Sequence, residues 1–341
     1  MKEIEKKNWL KLYEIAEKIK ELEPWKELWD TDLFVYIEDN DVDNSLYFCT
    51  MGRAGIHKSV AIYKGDQIDG YLTISESGME SIAAINYQEC VKVCYLDRED
   101  TLPENRKLIK ELGLKYRGTW TSFEKFEIGY DFGTINNDEV IFMTKALENY
   151  YEMFKKYRNE KMSIDFHNGE GLIRKYNTKT KKFEDVVEDV IYVSKKMPSV
   201  TLDKDYKKIT NKTKKTNLEF EIDFLNNLPV RIDDYKSNDG RYMFPLIFII
   251  ADRNNQFIFD MDTEKIPKDY NKYIKDSIDR IANVILQVGK PKTIYVRDKK
   301  TAYALKDFLE QTGIKIAIDP NLPAIEFAYE MFLNPPADFL E

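Results

Sequence analysis

Apolar residues recur three and four positions apart from the start of the chain. Trp9, Leu12, Tyr13, Ala16, Ile19 and Leu22 form one stripe on an otherwise charged segment, the period of an amphipathic helix. Pro24 ends or kinks it. The pattern then shortens. Apolar runs at Leu33–Ile37, Leu46–Met51, Val60–Tyr63 and Tyr71–Ile74 are parted by Asp/Asn or Gly clusters and predict the strands of a meander. Val91–Leu96 predicts a further strand, and Leu102–Leu112 a helix closed by Gly113, where glycine adopts positive φ without strain. A long helix over 138–158 carries Val140, Ala146, Leu147, Tyr150, Tyr151 and Phe154 on its apolar face. This half reads as α+β, an antiparallel sheet with helices on one face.

Residues 159–169 break the pattern, and a hairpin follows at Leu172–Val187, turning through Asn177–Lys182. Beyond a basic stretch, Phe220, Ile222 and Phe224 alternate with acids across Leu218–Leu225, which predicts a strand with one wet face. Residues 241–262 are two apolar runs around a turn-rich hexapeptide, the pattern of a β-hairpin. Ile274, Ile278, Ile281, Ile285 and Val288 then mark a helix that stops at Gly289-Lys290-Pro291. Thr293–Val296 reads as a strand, and Ala302, Leu305, Phe308 and Leu309 as the face of a helix capped by Gly313. Ile314–Ile318 is a strand and Pro323–Phe332 a last helix. Strand, helix and strand in this order imply a right-handed parallel crossover, so this part reads as α/β. The resulting division is an α+β domain over 1–160, a hairpin and basic linker over 161–217, and an α/β domain over 218–341. A chain of 341 residues exceeds what one hydrophobic core usually supports, in agreement with two domains.

Composition narrows the class. With 43% hydrophobic and 33% charged residues, the chain has a folded profile and not a disordered one. No apolar run approaches the roughly 20 residues that span a bilayer, and the charged N-terminus lacks the apolar core of a signal peptide. The expected location is the cytoplasm. Cys49, Cys90 and Cys94 make an odd count without a secretion signal, which argues for reduced thiols. With only His57 and His167 besides, none at finger-like spacing, a zinc site is not indicated. The net charge of −8 weighs against general nucleic-acid binding. The basic run Lys204–Lys215 is the one stretch that offers a phosphate contact, and its first reading is a solvated linker.

Motifs are sparse. GRAGIHKS, Gly52–Ser59, superficially suggests a phosphate-binding loop, but its glycines are three apart and Lys58 follows Gly55 by three. A P-loop needs five and one, so the stretch predicts a hairpin turn. His57 with Asp66 or Asp69 has the residue types of a base and its orienting acid, but no spacing that requires it. The remaining chemistry lies in the carboxylates of the last third. Asp252 closes the first hairpin strand and Asp298 the strand after the helix. On neighbouring strands the two acids would project from one sheet edge, with Asp260, Asp262 or Glu326 completing an oxygen-ligand set for Mg²⁺ or Mn²⁺. Each acid also has a local role, Asp252 as a turn residue and Asp298 as a helix N-cap.

This arrangement of an antiparallel strand group, a helix, and then alternating strands and helices resembles the ribonuclease-H-like nuclease fold. That fold carries an acid on the first strand and another after the fourth. The resemblance covers residues 218–333 and implies a divalent-metal nuclease, or a degenerate relative, using Asp252, Asp298 and Glu326. Over the whole chain, Trp9, Tyr13 and Ala16, Pro24 and Trp25, Met51 and Gly52, Tyr63 and Gly65, and Gly113, Tyr116, Arg117 and Gly118 resemble the pattern of a family of uncharacterised bacterial proteins built of domains of unknown function. That resemblance implies no activity. Aromatic-rich domains without a complete catalytic set point first to a protein that binds a partner macromolecule or small ligand, with the nuclease as the alternative.

Overall fold

The computed structural model describes residues 3–39, 41–77, 88–193, 200–225, 236–237, 240–265 and 269–333. Their contacts divide the chain into two compact units, one of residues 1–71, 88–127 and 132–195, the other of 72–87, 128–131 and 196–341. Among the described residues no helix is long and apolar enough to cross a membrane.

The first unit holds a seven-stranded sheet in the order β5-β4-β3-β2-β1-β6-β7. Its strands are β1 (Phe34–Ile37), β2 (Leu46–Met51), β3 (Ser59–Lys64), β4 (Cys90–Leu96), β5 (Trp120–Phe126), β6 (Glu170–Asn177) and β7 (Lys182–Asp189). The expected antiparallel meander forms through β1 to β3 and continues into the expected β4, and β5, which the sequence reading did not include, extends it. The sheet is nevertheless mixed, because β6 pairs parallel to β1. The hairpin expected to open a linker is thus the edge of this sheet. Gly171 permits the join: a Cβ there would lie 2.8 Å from the Leu33 carbonyl.

One face is packed by α1 (Glu3–Leu22) and α4 (Asn137–Glu160), whose Leu12, Tyr13, Ile19, Leu147, Tyr150 and Phe154 meet Phe34, Phe48, Ile62 and Phe123 of the strands. Asn136 caps α4 by accepting from the Asp138 and Glu139 amides, while Glu139 accepts from the Asn136 amide, a capping box. Helix α3 (Pro103–Leu112) ends on Gly113 with positive φ, as its sequence predicts. The run Tyr71–Ile74, expected as a strand, lies inside a helix, α2 (Ile68–Ser77). Tyr71 packs on Tyr63 at 5.7 Å from the opposite side of the sheet and donates to the Asp30 carbonyl.

The second unit holds a five-stranded sheet in the order β10-β9-β8-β11-β12. These are β8 (Glu219–Leu225), β9 (Leu246–Asp252), β10 (Ile258–Glu264), β11 (Thr293–Val296) and β12 (Lys315–Ile318). The predicted hairpin is β9–β10, and β9 runs antiparallel to β8. Strands β8, β11 and β12 are parallel. On one face, α6 (Tyr270–Val288) buries the stripe Ile274, Ile278, Ile281 and Ile285. Phe308 and Leu309 of α8 (Lys306–Thr312) join it against Phe220, Ile222, Ile250 and Ile294. On the other face, α9 (Pro323–Leu333) lays Ala324, Ile325, Ala328 and Tyr329 against Ile247, Ile249 and Ala251.

The basic stretch is not an undocked linker. Its residues 206–210 form a short helix, α5 (Tyr206–Thr210). Tyr206 is buried edge-on to Phe308 at 5.3 Å and donates to Asp279 at 2.7 Å. An apolar anchor inside a lysine run is what holds it to the unit.

Candidate functional site

Strand β8 is the centre of the second sheet, and its alternation places Phe220 and Ile222 on the α6 face and Glu221 and Asp223 on the α9 face. The acid face was expected to be wet. It is dry: Glu221 and Asp223 are both fully buried, because α9 covers them. Buried carboxylates need charge partners and hydrogen bonds, and two arginines supply them.

Arg297 follows β11 immediately. Its Nε donates to Asp223 Oδ2 at 2.7 Å, and its Nη1 to the Pro320 carbonyl at 2.7 Å and to Glu326 of α9 at 2.6 Å. The guanidinium is 2% exposed and Asp223 0%, so the pair is desolvated outright. Arg253, after β9, joins Glu221 at 3.1 Å to Asp319 at 2.6 Å and lies 4.1 Å over the Tyr295 ring. The second oxygen of Glu221 accepts from the Ala324 and Ile325 amides at 2.8 and 3.1 Å. A carboxylate on the sheet thus satisfies the orphan donors at the start of α9.

Burial sets the electrostatics of this cluster. It pushes the Asp223 carboxyl above its ordinary range, with Arg297 opposing the shift. Burial also raises Glu221, against the pull of the Ile325 amide and Arg253. The charge of Asp298 adds to the upward push on Asp223, which places Asp298 near the cluster. Tyr329 of α9 is raised by its own burial and then by Asp223. Its hydroxyl is enclosed without a hydrogen-bond partner among the described residues.

The structure brings together some of the acids expected from sequence and separates others. Glu326 belongs to the arginine cluster through Arg297 and Asp298 acts on it through its charge alone, whereas Asp252 stands apart from both. Asp252 sits opposite Phe220 at the start of β8, whereas Asp298 lies beyond the Val296–Ile222 pairing. The two acids are separated by β8 and by the opposite direction of β9, about 13 Å along the sheet and about 10 Å across it. The adjacency expected of Asp252 and Asp298 is therefore absent. The reason is that β8, not the hairpin, supplies the central strand. Asp252 accepts from the Asn254 amide at 3.0 Å in its turn, and Asp298 caps α7 (Lys299–Ala304) by accepting from Thr301 at 2.7 Å. Asp260 and Asp262 both pair with Arg280 of α6. Glu221 and Asp223 are the acids missed. Their signal lay in the alternating run of β8, read for its apolar half alone.

Whether this cluster fits a divalent ion is a matter of donors. Such an ion needs several carboxylate oxygens turned toward one point at about 2.1 Å. Here Arg297 stands among Asp223 and Glu326 and takes one oxygen of each, while the other oxygen of Asp223 accepts from the Phe224 amide, so a cation would meet a fixed positive charge. The residues present do not fit a two-ion centre. Among the described residues, no group of three or more His, Cys, Asp or Glu side chains is placed to share a metal ion.

The first unit offers less. GRAGIHKS is the turn between β2 and β3; Gly52 has φ +122°, and a Cβ there would lie 2.8 Å from the Lys58 Cα. His57 is exposed in this turn, while Asp66 and Asp69 follow the far end of β3. His167 is exposed in a short 3₁₀ turn. Cys49, Cys90 and Cys94 are buried free thiols. Burial raises all three, Cys90 to about 12, which holds them as inert thiols.

Residues 9–174 match a family model described as a domain of unknown function (DUF7309), and residues 205–333 match a second domain of unknown function (DUF6930). No curated protein matches the chain.

Proposed function

We propose that the chain is a binding protein whose second unit is a ribonuclease-H-like domain that does not hydrolyse nucleic acid. Counting β8 as the first strand supports the fold assignment. An antiparallel trio, β8 to β10, is followed by α6, then β11, helices, β12 and a last helix. An acid stands on the first strand, Asp223, and another after the fourth, Asp298. The observation that carries the functional reading is Arg297. Its guanidinium bonds Asp223 and Glu326 at 2.7 and 2.6 Å and replaces the cation that carboxylates in such a cluster would otherwise hold. Loss of metal chemistry leaves recognition as the role of the domain. In the first unit, Trp29 is 48% exposed with Arg53 stacked on it at 4.5 Å, two residue types enriched among interface anchors.

The test is cleavage of labelled single- and double-stranded DNA and RNA in Mg²⁺ or Mn²⁺, alongside thermal unfolding with and without each ion. The expected result is no cleavage and no metal-dependent shift. Cleavage that disappears in Asp223→Asn overturns the proposal.

A further inference from the structure

The parallel strands of the second sheet have two ends. Asp223 and Arg297 lie toward the end where β8, β11 and β12 finish; the end where they begin gathers lysines on and before the first residues of the strands, around Glu219 and with Asp252 beside it on β9. The segment before β8 runs beside the segment before β11. The Thr216 amide donates to the Lys290 carbonyl, the Lys290 amide to the Lys214 carbonyl, and the Lys292 amide to the Leu218 carbonyl. Gly289 makes this approach feasible, since a Cβ there would lie 2.4 Å from Thr216 Cγ2 and 3.0 Å from the Lys214 carbonyl. Lys315 opens β12, in register with Thr293 and, through it, with Glu219.

Lysines far apart in sequence therefore share one ledge: Lys214 and Lys215 from one segment, Lys290 and Lys292 from the next, and Lys315 from the third. Lys212 is exposed in the adjoining turn. Among the described residues one carboxylate pairs with this group, Glu219, at 3.9 Å from Lys292. Lys290 is partly withdrawn from water, donates to the Thr312 carbonyl, and is held below its usual value by that burial and by Lys215 beside it. In a chain of net charge −8, such clustering works against the protein's own stability unless an anion relieves it.

We infer that this ledge is a docking surface for the phosphate backbone of a nucleic-acid duplex, bound without regard to sequence. Three neighbouring strands span about 10 Å, a length over which a duplex presents about six phosphates, comparable with the lysines on the ledge. Lysine engages phosphate as a point charge and reads no base edges. Among the described residues no aromatic ring is stacked on a ledge lysine, and the exposed Phe257 at this end of the sheet stands beyond β9, on the β10 side, whereas single-strand binders rely on aromatic platforms along the phosphate track. A duplex is the better fit. The ledge lies at the opposite end of the strands from Asp223 and Arg297, so the inference does not depend on how that cluster is read.

The experiment is equilibrium binding of the full chain to a fluorescent 20-base-pair duplex of arbitrary sequence, as DNA and as RNA, over a salt series beginning near about 50 mM. The native chain should bind at least one duplex, with log affinity falling linearly with log salt. Lys214→Glu/Lys215→Glu/Lys292→Glu should weaken binding at least about tenfold and flatten the slope by about three. The matched reversal Lys272→Glu/Lys299→Glu/Lys306→Glu, on exposed lysines at the opposite end of the same unit, should leave affinity within about twofold of native, since charge so placed acts only through the long-range field. Unchanged thermal unfolding of both variants shows that they fold. No duplex binding at low salt overturns the inference. Equal weakening by the two variants overturns it as well, as does retention on phosphatidylserine vesicles without duplex binding.

Discussion

The two sheets bury different chemistry at their centres. In the first, β2 and β3 enclose Tyr47, Phe48, Cys49, Val60, Ala61 and Ile62, and a buried polar contact there is a neutral one, Thr50 with the Tyr150 hydroxyl at 2.6 Å. In the second, β8 encloses two carboxylates, each matched to an arginine, and Glu221 also to the first amides of α9. Apolar burial stabilises a sheet without specifying much about what covers it. Buried ion pairs contribute little net stability but penalise every arrangement that leaves one partner alone. The first sheet is held by area, the second by mutual dependence.

That contrast is sharpest at Arg297. Arg297→Met leaves Asp223 enclosed without a counter-charge, and the expected loss is about 3–5 kcal/mol, read as faster amide exchange in β8 and β11 with β2 and β3 unaffected. Asp223→Leu with Arg297→Met should recover most of that loss, since replacing both partners by apolar groups is close to neutral. A neutral single variant would erase the difference between the sheets. The matching change in the first unit, Thr50→Val, removes one neutral hydrogen bond to Tyr150 and should cost about 1–2 kcal/mol, measured by denaturant unfolding.

The smallest effect is one of pH. Burial raises Glu221 and Asp223 above their unfolded values, so the folded state holds those protons more tightly than the unfolded chain. Their contribution to stability is complete below the usual carboxylate range and is lost as pH rises through the raised values. Glu221→Gln cannot titrate. Its unfolding temperature relative to the native chain should therefore improve as pH rises through that window, and a difference that moves the other way would contradict the burial assigned to Glu221.

Elements with strong period were legible in the sequence, and those that depended on distant partners were not. The stripe from Trp9 to Ile19, the stop at Gly113 and the hairpin β9–β10 follow from local rules and stand as expected. Tyr71–Ile74 is four residues long, too short for helix and strand periods to differ, and the start of α2 settles it as helix. Strand β5 went unread because Trp120–Phe126 mixes Thr, Ser, Glu and Lys into its run. At β8 the alternation was correct and the conclusion about its polar face was not. Whether Glu221 and Asp223 meet water depends on Arg253, Arg297 and α9, 32, 74 and about a hundred residues away. The same distance hid the lysine ledge, of which the sequence displays one run and the fold assembles three.

The contacts of Glu221 with α9 also bear on the order in which the molecule is made. Its amide partners lie 103 and 104 residues later in the chain. On a ribosome adding about 5–20 residues per second, the middle strand of this unit waits between about 5 and 20 seconds for the helix that shields it. Throughout that interval a carboxylate-bearing strand gains its neighbours β9 and β11 but no lid, so the domain closes only when the first turn of α9 arrives.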